Sequence, residues 1–179
     1  KKDENISFNI GNNTLENVSS YTYLGIIFQK NRKFTLTKEK AIEKAVKAMY
    51  FVLSKGRKLH LTYDIQLRLF DSMVLPILIY GCEIWGFENC SSLENVHLKF
   101  LRQLASLRKS TPRYMLYGEF GRLPLEIDIK LRIVSFWGRL LTGKSSKLSL
   151  QIFKLIFNDN LLEKCKHKWI INIKQIFDE

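Results

Sequence analysis

The sequence predicts a mainly α-helical protein: a small N-terminal β-hairpin or sheet edge, followed by a helical bundle of about six or seven helices. Three observations lead to this class. Apolar and polar residues alternate near the start, apolar residues recur at helical spacing afterwards, and 46% of the 179 residues are hydrophobic. That composition is enough for a buried core. Three prolines and nine glycines are too few for a fibrous or disordered chain.

The first 28 residues favour strands. Ile6, Phe8 and Ile10 alternate with polar residues, and Gly11-Asn12-Asn13 supplies turn chemistry. The run from residue 21 to 28 is aromatic and β-branched, as strands prefer. We therefore predict a hairpin and a third strand.

From residue 35 the spacing of apolar residues becomes helical. Thr37 is a suitable cap for this first helix, and Gly56 a suitable end. Small and branched apolar residues on one side predict its packed face: Ala41, Ala45, Ala48 and Val52.

Further helices follow from capping residues and prolines. Thr62 can cap a helix that runs to about Trp85, and Pro76 should kink or split it because proline lacks a backbone donor. Ser91 and Glu94 have the spacing of a capping box at the start of the next helix.

Shorter helices are predicted toward the C-terminus. Thr111-Pro112 and Pro124 each open a helix, and two more segments cover about 147–157 and 159–177. We divide the chain into three regions, listed here: residues 1–34 with strands, residues 35–110 as a first helical region, and residues 111–179 as a second.

The charge of the chain points to a polyanionic partner. The net charge is +12, and the segment from Lys30 to Arg68 holds 11 Lys and Arg against three Asp and Glu. Lysine contacts to phosphate are independent of sequence and sensitive to salt. A solvated lysine face on an ordinary amphipathic helix explains the pattern equally well at this stage. The candidate phosphate-binding residues are Lys38, Lys44, Lys47, Lys55, Arg57 and Lys58.

The sequence offers no catalytic or metal-binding residues that we can nominate. Two-metal phosphoryl transfer needs clustered carboxylates, but the only adjacent acidic pairs are Asp3-Glu4 and Asp178-Glu179 at the two ends. Cys165 and His167 provide two zinc ligands at most, whereas a structural site needs four. We expect no cofactor in this chain.

The cysteines and the hydropathy pattern favour an intracellular protein, nuclear or cytoplasmic. The three cysteines are Cys82, Cys90 and Cys165, an odd number without a CxxC pair, which favours reduced thiols. The N-terminus lacks the apolar core of a signal peptide. The longest apolar stretch has only 11 residues, so no membrane span is expected. Because the chain opens without methionine, we expect it to be a piece of something longer.

Several sequence strings occur in a distinctive order. Tyr23-Leu24-Gly25-Ile26 comes first, P-I-L-I-Y-G-C-E-I-W follows at residues 76–85, and Y-G-E-F-G-R-L-P-L follows at residues 117–125. In this order and spacing they resemble the end of the reverse transcriptase region of animal LINE-type, or non-LTR, retrotransposons and the segment after it. The likeness covers about residues 18–141.

The resemblance implies a fragment of an RNA-directed DNA polymerase. Residues 1–34 would be the end of its palm, 35–110 its thumb and 111–179 its connector. Tyr23, Leu24 and Gly25 would lie next to the primer grip, and the thumb would bind RNA and RNA–DNA hybrids. The catalytic aspartates that hold Mg²⁺ in such enzymes lie in an upstream F/Y-A-D-D turn, which this chain lacks. The chain alone is therefore predicted to be inactive, with the palm and fingers of the same polyprotein as partners.

Two alternatives remain open from the sequence. A decayed or co-opted element could persist as a non-enzymatic helical interaction module, and a basic amphipathic helix could bind an anionic membrane surface. Glu83 and Glu119 lie in apolar surroundings in the sequence, so we expect each to pair with an arginine. The candidate partners are Arg102, Arg122 and Arg132, and Trp85 and Trp137 are expected core anchors.

Overall fold

The computed structural model describes residues 8–11, 13–142, 148–161 and 168–178. The chain divides into two compact units, Lys1–Lys40 and Ala41–Glu179. Strands occupy the first unit and helices dominate the second, which confirms the predicted fold class of a small β edge followed by helices. Residues 111–179 and residues 41–110 fall in the second unit, whereas residues 35–40 belong to the first.

Two antiparallel hairpins form the described strands of the first unit. Strand β1 (Phe8–Ile10) pairs with β2 (Asn13–Leu15), and β3 (Ser20–Tyr23) pairs with β4 (Ile26–Gln29). The prediction of one strand over residues 21–28 is wrong, because Leu24 and Gly25 turn the chain there with φ angles of 47° and 83°. Two consecutive positive φ angles are typical of tight hairpin turns.

Helix α1 (Thr35–Lys58) begins in the first unit, where Thr37 joins it to β4. The Thr37 hydroxyl accepts a hydrogen bond from the Ile27 backbone N–H at 2.9 Å and donates one to the Ile27 carbonyl at 3.0 Å. Thr37 was predicted to be the helix cap, but it lies inside the first turn and binds the strand instead.

Helix α1 also continues past Gly56, the residue predicted to end it. Gly56 is buried within the helix, and an added Cβ would overlap the side chain of Gln66. Gln66 is itself buried and donates a hydrogen bond from Nε2 to the Leu61 carbonyl at 2.8 Å. The glycine therefore permits close packing rather than a helix stop.

The remaining helices lie in the second unit. They are α2 (Tyr63–Leu69), a π-helical segment (Phe70–Val74), α3 (Leu75–Leu78), α4 (Cys82–Trp85), α5 (Ser91–Leu104), α6 (Arg113–Phe120), α7 (Leu125–Thr142), α8 (Leu148–Leu161) and α9 (Lys168–Asp178). None of the helices in these described stretches has the length and apolar character needed to cross a membrane.

The helix predicted from Thr62 to Trp85 is divided into four pieces. Pro76 lies in the first turn of α3, where its missing N–H costs little, and the π-helical segment precedes it. Gly81, with a φ of 66°, turns the chain before α4. The predicted effect of Pro76 is thus confirmed, and the break is wider than one kink.

The core of the second unit is aromatic and aliphatic. Phe70 and Phe100 are fully buried and stack with their ring centroids 4.4 Å apart. Trp85 is 1% exposed and donates its indole N–H to the Tyr80 carbonyl at 3.1 Å, which confirms it as a core anchor. Burial of such side chains contributes about 2–3 kcal/mol each relative to exposure.

Trp169 holds the C-terminal helix α9 against the middle of the chain. Its indole N–H donates to the Glu83 carbonyl at 3.2 Å. The rings of Phe87, Phe136 and Phe153 surround it edge-on, with centroids 6.1–6.3 Å away. Edge-to-face contacts of this kind add to the stabilisation from burial.

Candidate nucleic-acid interface

Helix α1 has one buried face within the second unit. Ala45, Met49, Val52 and Leu53 are at most 1% exposed, and Ala48 is half-buried. This is the small apolar face that the sequence predicted. The residues at the opposite side of the helix are exposed, as an amphipathic surface helix requires.

Four lysines and one phenylalanine form a single row along that exposed side. The row is Lys44, Lys47, Phe51, Lys55 and Lys58, with spacings of three, four, four and three residues. We call the four lysines of this row the lysine stripe. At 1.5 Å per residue the stripe extends over about 21 Å, which lets it meet several phosphates of one nucleic-acid strand.

The ammonium groups of the stripe are accessible to solvent. Lys47 makes an ion pair with Glu43 at 2.6 Å, but the side chains are 74% and 66% exposed. Such a surface pair contributes at most about 1 kcal/mol. A phosphate can therefore compete with Glu43 for Lys47 at little cost.

Two exposed aromatic residues accompany the stripe. Phe51 is 51% exposed, and the Lys55 Nζ lies 5.6 Å from its ring centroid. Tyr50, one position round the helix, has the Lys99 Nζ 5.1 Å from its ring centroid. Hydrogen bonds from Lys99 and Gln103 lower the pKa of the Tyr50 hydroxyl.

Two of the six predicted phosphate-binding residues do not belong to this row. Lys38 lies in the first unit and is only 7% exposed, which does not favour a contact with phosphate. Arg57 is exposed, but helical spacing places it about a third of a turn from the stripe. Its Nε donates to the Leu53 carbonyl at 3.4 Å, and it lines a 350 Å³ cavity with His60 and Gln103.

Tyr23, Leu24 and Gly25, the residues predicted to lie next to a primer grip, form the tip of the β3–β4 hairpin. Tyr23 is 57% and Leu24 is 73% exposed. Leu24 holds a φ of 47°, which costs a non-glycine residue about 1 kcal/mol or more. An apolar side chain is thus presented to solvent on a strained turn.

Glu94 joins three helices of the second unit, a role that the sequence analysis missed. Its carboxylate accepts hydrogen bonds from the Tyr117 hydroxyl at 2.8 Å and from the Leu125 backbone N–H at 2.6 Å, and its Oε1 lies 3.0 Å from the His97 Nδ1. Burial alone would raise the pKa of Glu94, but these three hydrogen bonds lower it overall. Glu94 is therefore a charged structural hub, not the capping-box residue that was predicted.

His97 completes this hub inside the core. It is 1% exposed and stacks on Phe70 with a centroid distance of 5.5 Å. Its Nε2 has no hydrogen-bond partner among the described residues. A proton on Nδ1 that is donated to Glu94 fits these contacts, because a proton on Nε2 would be buried without an acceptor.

Arg122 does not pair with Glu83 or Glu119, the residues for which an arginine partner was expected. It forms a bidentate ion pair with Asp71. Glu119 is exposed, so it needs no partner. Arg102, another candidate partner, donates a hydrogen bond to the Thr111 carbonyl at 3.0 Å. Apart from the charge of Asp71, the sequence did not indicate that this residue would be the partner of Arg122.

A cavity of about 720 Å³ lies beside Glu94. Cys90, Arg113, Tyr117 and Lys130 contribute to its lining. In the part of the chain that the structure describes, no three His, Cys, Asp or Glu side chains group as metal ligands would. Cys165 and His167, considered as zinc ligands, lie outside the described residues.

The chain was compared with models of protein families, with curated proteins and with solved structures, and none of them matches it.

Proposed function

We propose that this chain is the thumb and connector region of a LINE-type reverse transcriptase, and that the lysine stripe of α1 binds the backbone of an RNA or RNA–DNA template–primer duplex. The region binds nucleic acid and contributes no catalytic group. Catalysis, with its Mg²⁺ ions, belongs to an upstream palm of the same polyprotein.

The observation that carries this proposal is the row of exposed lysines opposite a packed face. A helix that is buried on one side and presents four lysines over about 21 Å on the other is suited to a linear polyanion. The net charge of +12 adds a long-range attraction for the same partner. The sequence resemblance supplies the identity of the polyanion.

Salt-dependent binding of an RNA–DNA hybrid tests the proposal. Changing Lys44, Lys47, Lys55 and Lys58 to Gln should reduce the slope of log affinity against log salt concentration by about three to four. The matched control removes four exposed charges elsewhere in the second unit: Arg108, Lys109, Arg139 and Lys154. Equal losses in the two variants would show that only net charge matters, and the proposed interface would be rejected.

A non-enzymatic interaction module is the second candidate, and one feature of α8 favours it. Leu148, Ile152 and Leu155 are 46–69% exposed and lie along one side of that helix. Such a row suits a helical protein partner. An upstream coding sequence with an F/Y-A-D-D turn in frame would favour the polymerase, and stop codons there would favour the module.

A further inference from the structure

Phe51 occupies the middle of the lysine stripe, where a polar residue would serve an ordinary solvated helix better. It follows Lys47 and precedes Lys55 by four residues each, so it lies one turn from both. Half of its surface is in water. A single exposed phenylalanine is common. This one, however, has a candidate phosphate-binding lysine one helical turn before it and another one turn after it, and that arrangement suits a specific kind of contact.

That chemistry is base stacking next to a backbone contact. The Lys55 Nζ lies 5.6 Å from the Phe51 ring centroid. A base stacked on this ring therefore brings its own phosphate within reach of the Lys55 or Lys47 ammonium. Aromatic rings interleaved with lysines are the usual way in which proteins hold single strands without reading their sequence.

The interior of a paired duplex cannot use Phe51 in this way, because the faces of its bases are already stacked on each other. We infer that the stripe binds unpaired nucleotides at Phe51, so that its preferred ligand is a hybrid duplex with a single-stranded extension. This inference rests on the proposed function, since it names the form of nucleic acid that the same stripe selects.

Tyr50 does not offer an equivalent platform. The Lys99 ammonium that lies 5.1 Å from its ring centroid comes from another helix, α5, and Lys99 and Gln103 of α5 also lower the pKa of its hydroxyl. Tyr50 therefore already interacts with α5, whereas the lysine beside Phe51 belongs to the stripe itself. Of these two rings, Phe51 is therefore the one that we expect to stack on a base.

The test compares two hybrids, one blunt and one with an extension of about ten nucleotides, using the whole chain. Phe51→Leu should weaken binding of the extended hybrid about tenfold and leave the blunt hybrid unchanged within about twofold. Phe51→Trp should preserve the preference. Tyr114→Leu, which removes a 72% exposed aromatic residue from α6, is the matched control and should change neither affinity. Thermal unfolding of each variant verifies that it folds.

A fluorescent base analogue in the extension reports stacking directly. Its emission should fall on binding to the original chain and to Phe51→Trp, but not on binding to Phe51→Leu. Equal weakening of both hybrids by Phe51→Leu would overturn the inference while the salt-dependent binding to the stripe still stood. If the original chain bound neither hybrid, the proposed function itself would fail. If Phe51→Leu weakened binding to anionic lipid vesicles and not to the extended hybrid, Phe51 would be assigned to a membrane surface. That result would also overturn the inference.

Discussion

Arg122 donates two hydrogen bonds to Asp71, a residue 51 positions earlier in the chain. The first joins the Arg122 Nη1 to Oδ2 at 2.8 Å, and the second joins Nη2 to Oδ1. The pair links the connection between α6 and α7 to the π-helical segment. Bidentate arginine–carboxylate pairs are stronger and more directional than lysine pairs, and the interaction with Asp71 raises the pKa of Arg122.

Loss of either partner should lower the free energy of unfolding. We expect Arg122→Leu and Asp71→Leu each to cost about 1–2 kcal/mol, with a coupling of about 1 kcal/mol in a double-mutant cycle. The value is modest because the Asp71 side chain is 39% exposed and solvent screens the pair. Urea denaturation of the original chain, the two single variants and the double variant measures this coupling.

The ion pair between Asp64 and Arg68 is the control for that cycle. Its side chains are 71% and 79% exposed and lie one helical turn apart. Its coupling should be about 0.3 kcal/mol. If the Arg122 pair coupled no more strongly than this surface pair, its assigned role in joining distant segments would be wrong.

Glu94 should make the stability of the chain depend on pH in the acidic range. Because its folded-state pKa lies below the ordinary value of 4.5, the unfolded chain takes up the proton more readily. The stabilisation is complete above pH 4.5 and is lost as the pH falls through the folded-state pKa. Glu94→Gln should lower stability by about 2 kcal/mol at pH 7 and by less at pH 3.

Denaturation curves collected at several pH values check this expectation. Glu126→Gln is the matched control, because the Glu126 side chain is 68% exposed and makes only a one-turn pair with Lys130. It should leave the acid sensitivity of the chain intact. A Glu94→Gln protein that lost stability on acidification as steeply as the original chain would rule out Glu94 as the source.

Cys82 should resist alkylation in the folded protein. Burial, and to a smaller extent the negative charge of Glu83, raises the pKa of its thiol to about 12. At pH 8 this lowers the thiolate fraction about a thousandfold relative to a free cysteine. Cys90 is half-buried and should be modified first. Timed iodoacetamide treatment with peptide mass mapping measures both rates, and similar rates at the two thiols would contradict the burial of Cys82.

The features predicted well from sequence are those set by residues close in the chain. Helix α1 and its two faces follow from a repeat of 3.6 residues, and the exposed lysines follow from the same repeat. The disruption at Pro76 follows from a missing backbone donor. Such features need no knowledge of the tertiary fold.

The features that the sequence concealed depend on distant partners or on a local strain. One hydrogen-bond donor to Glu94 is the backbone N–H of Leu125, which is 31 residues away. The sequence shows only that Glu94 lies three residues after Ser91, and this spacing suggested a capping box instead. The turn at Leu24 was hidden because leucine rarely adopts a positive φ, and only Gly25 signalled it. Lys38 carries the same charge as its neighbours, and the sequence offered no sign of its burial.

The indole of Trp169 also has a consequence for any shortened form of this chain. A polypeptide that stopped ahead of α9 would uncover Phe87 and Phe136 and leave the Glu83 carbonyl without its donor. Exposed hydrophobic rings of this kind promote association between copies of a protein. Helix α9 thus protects the folded molecule from aggregation, and affinity tags or truncations are better placed at the N-terminal end.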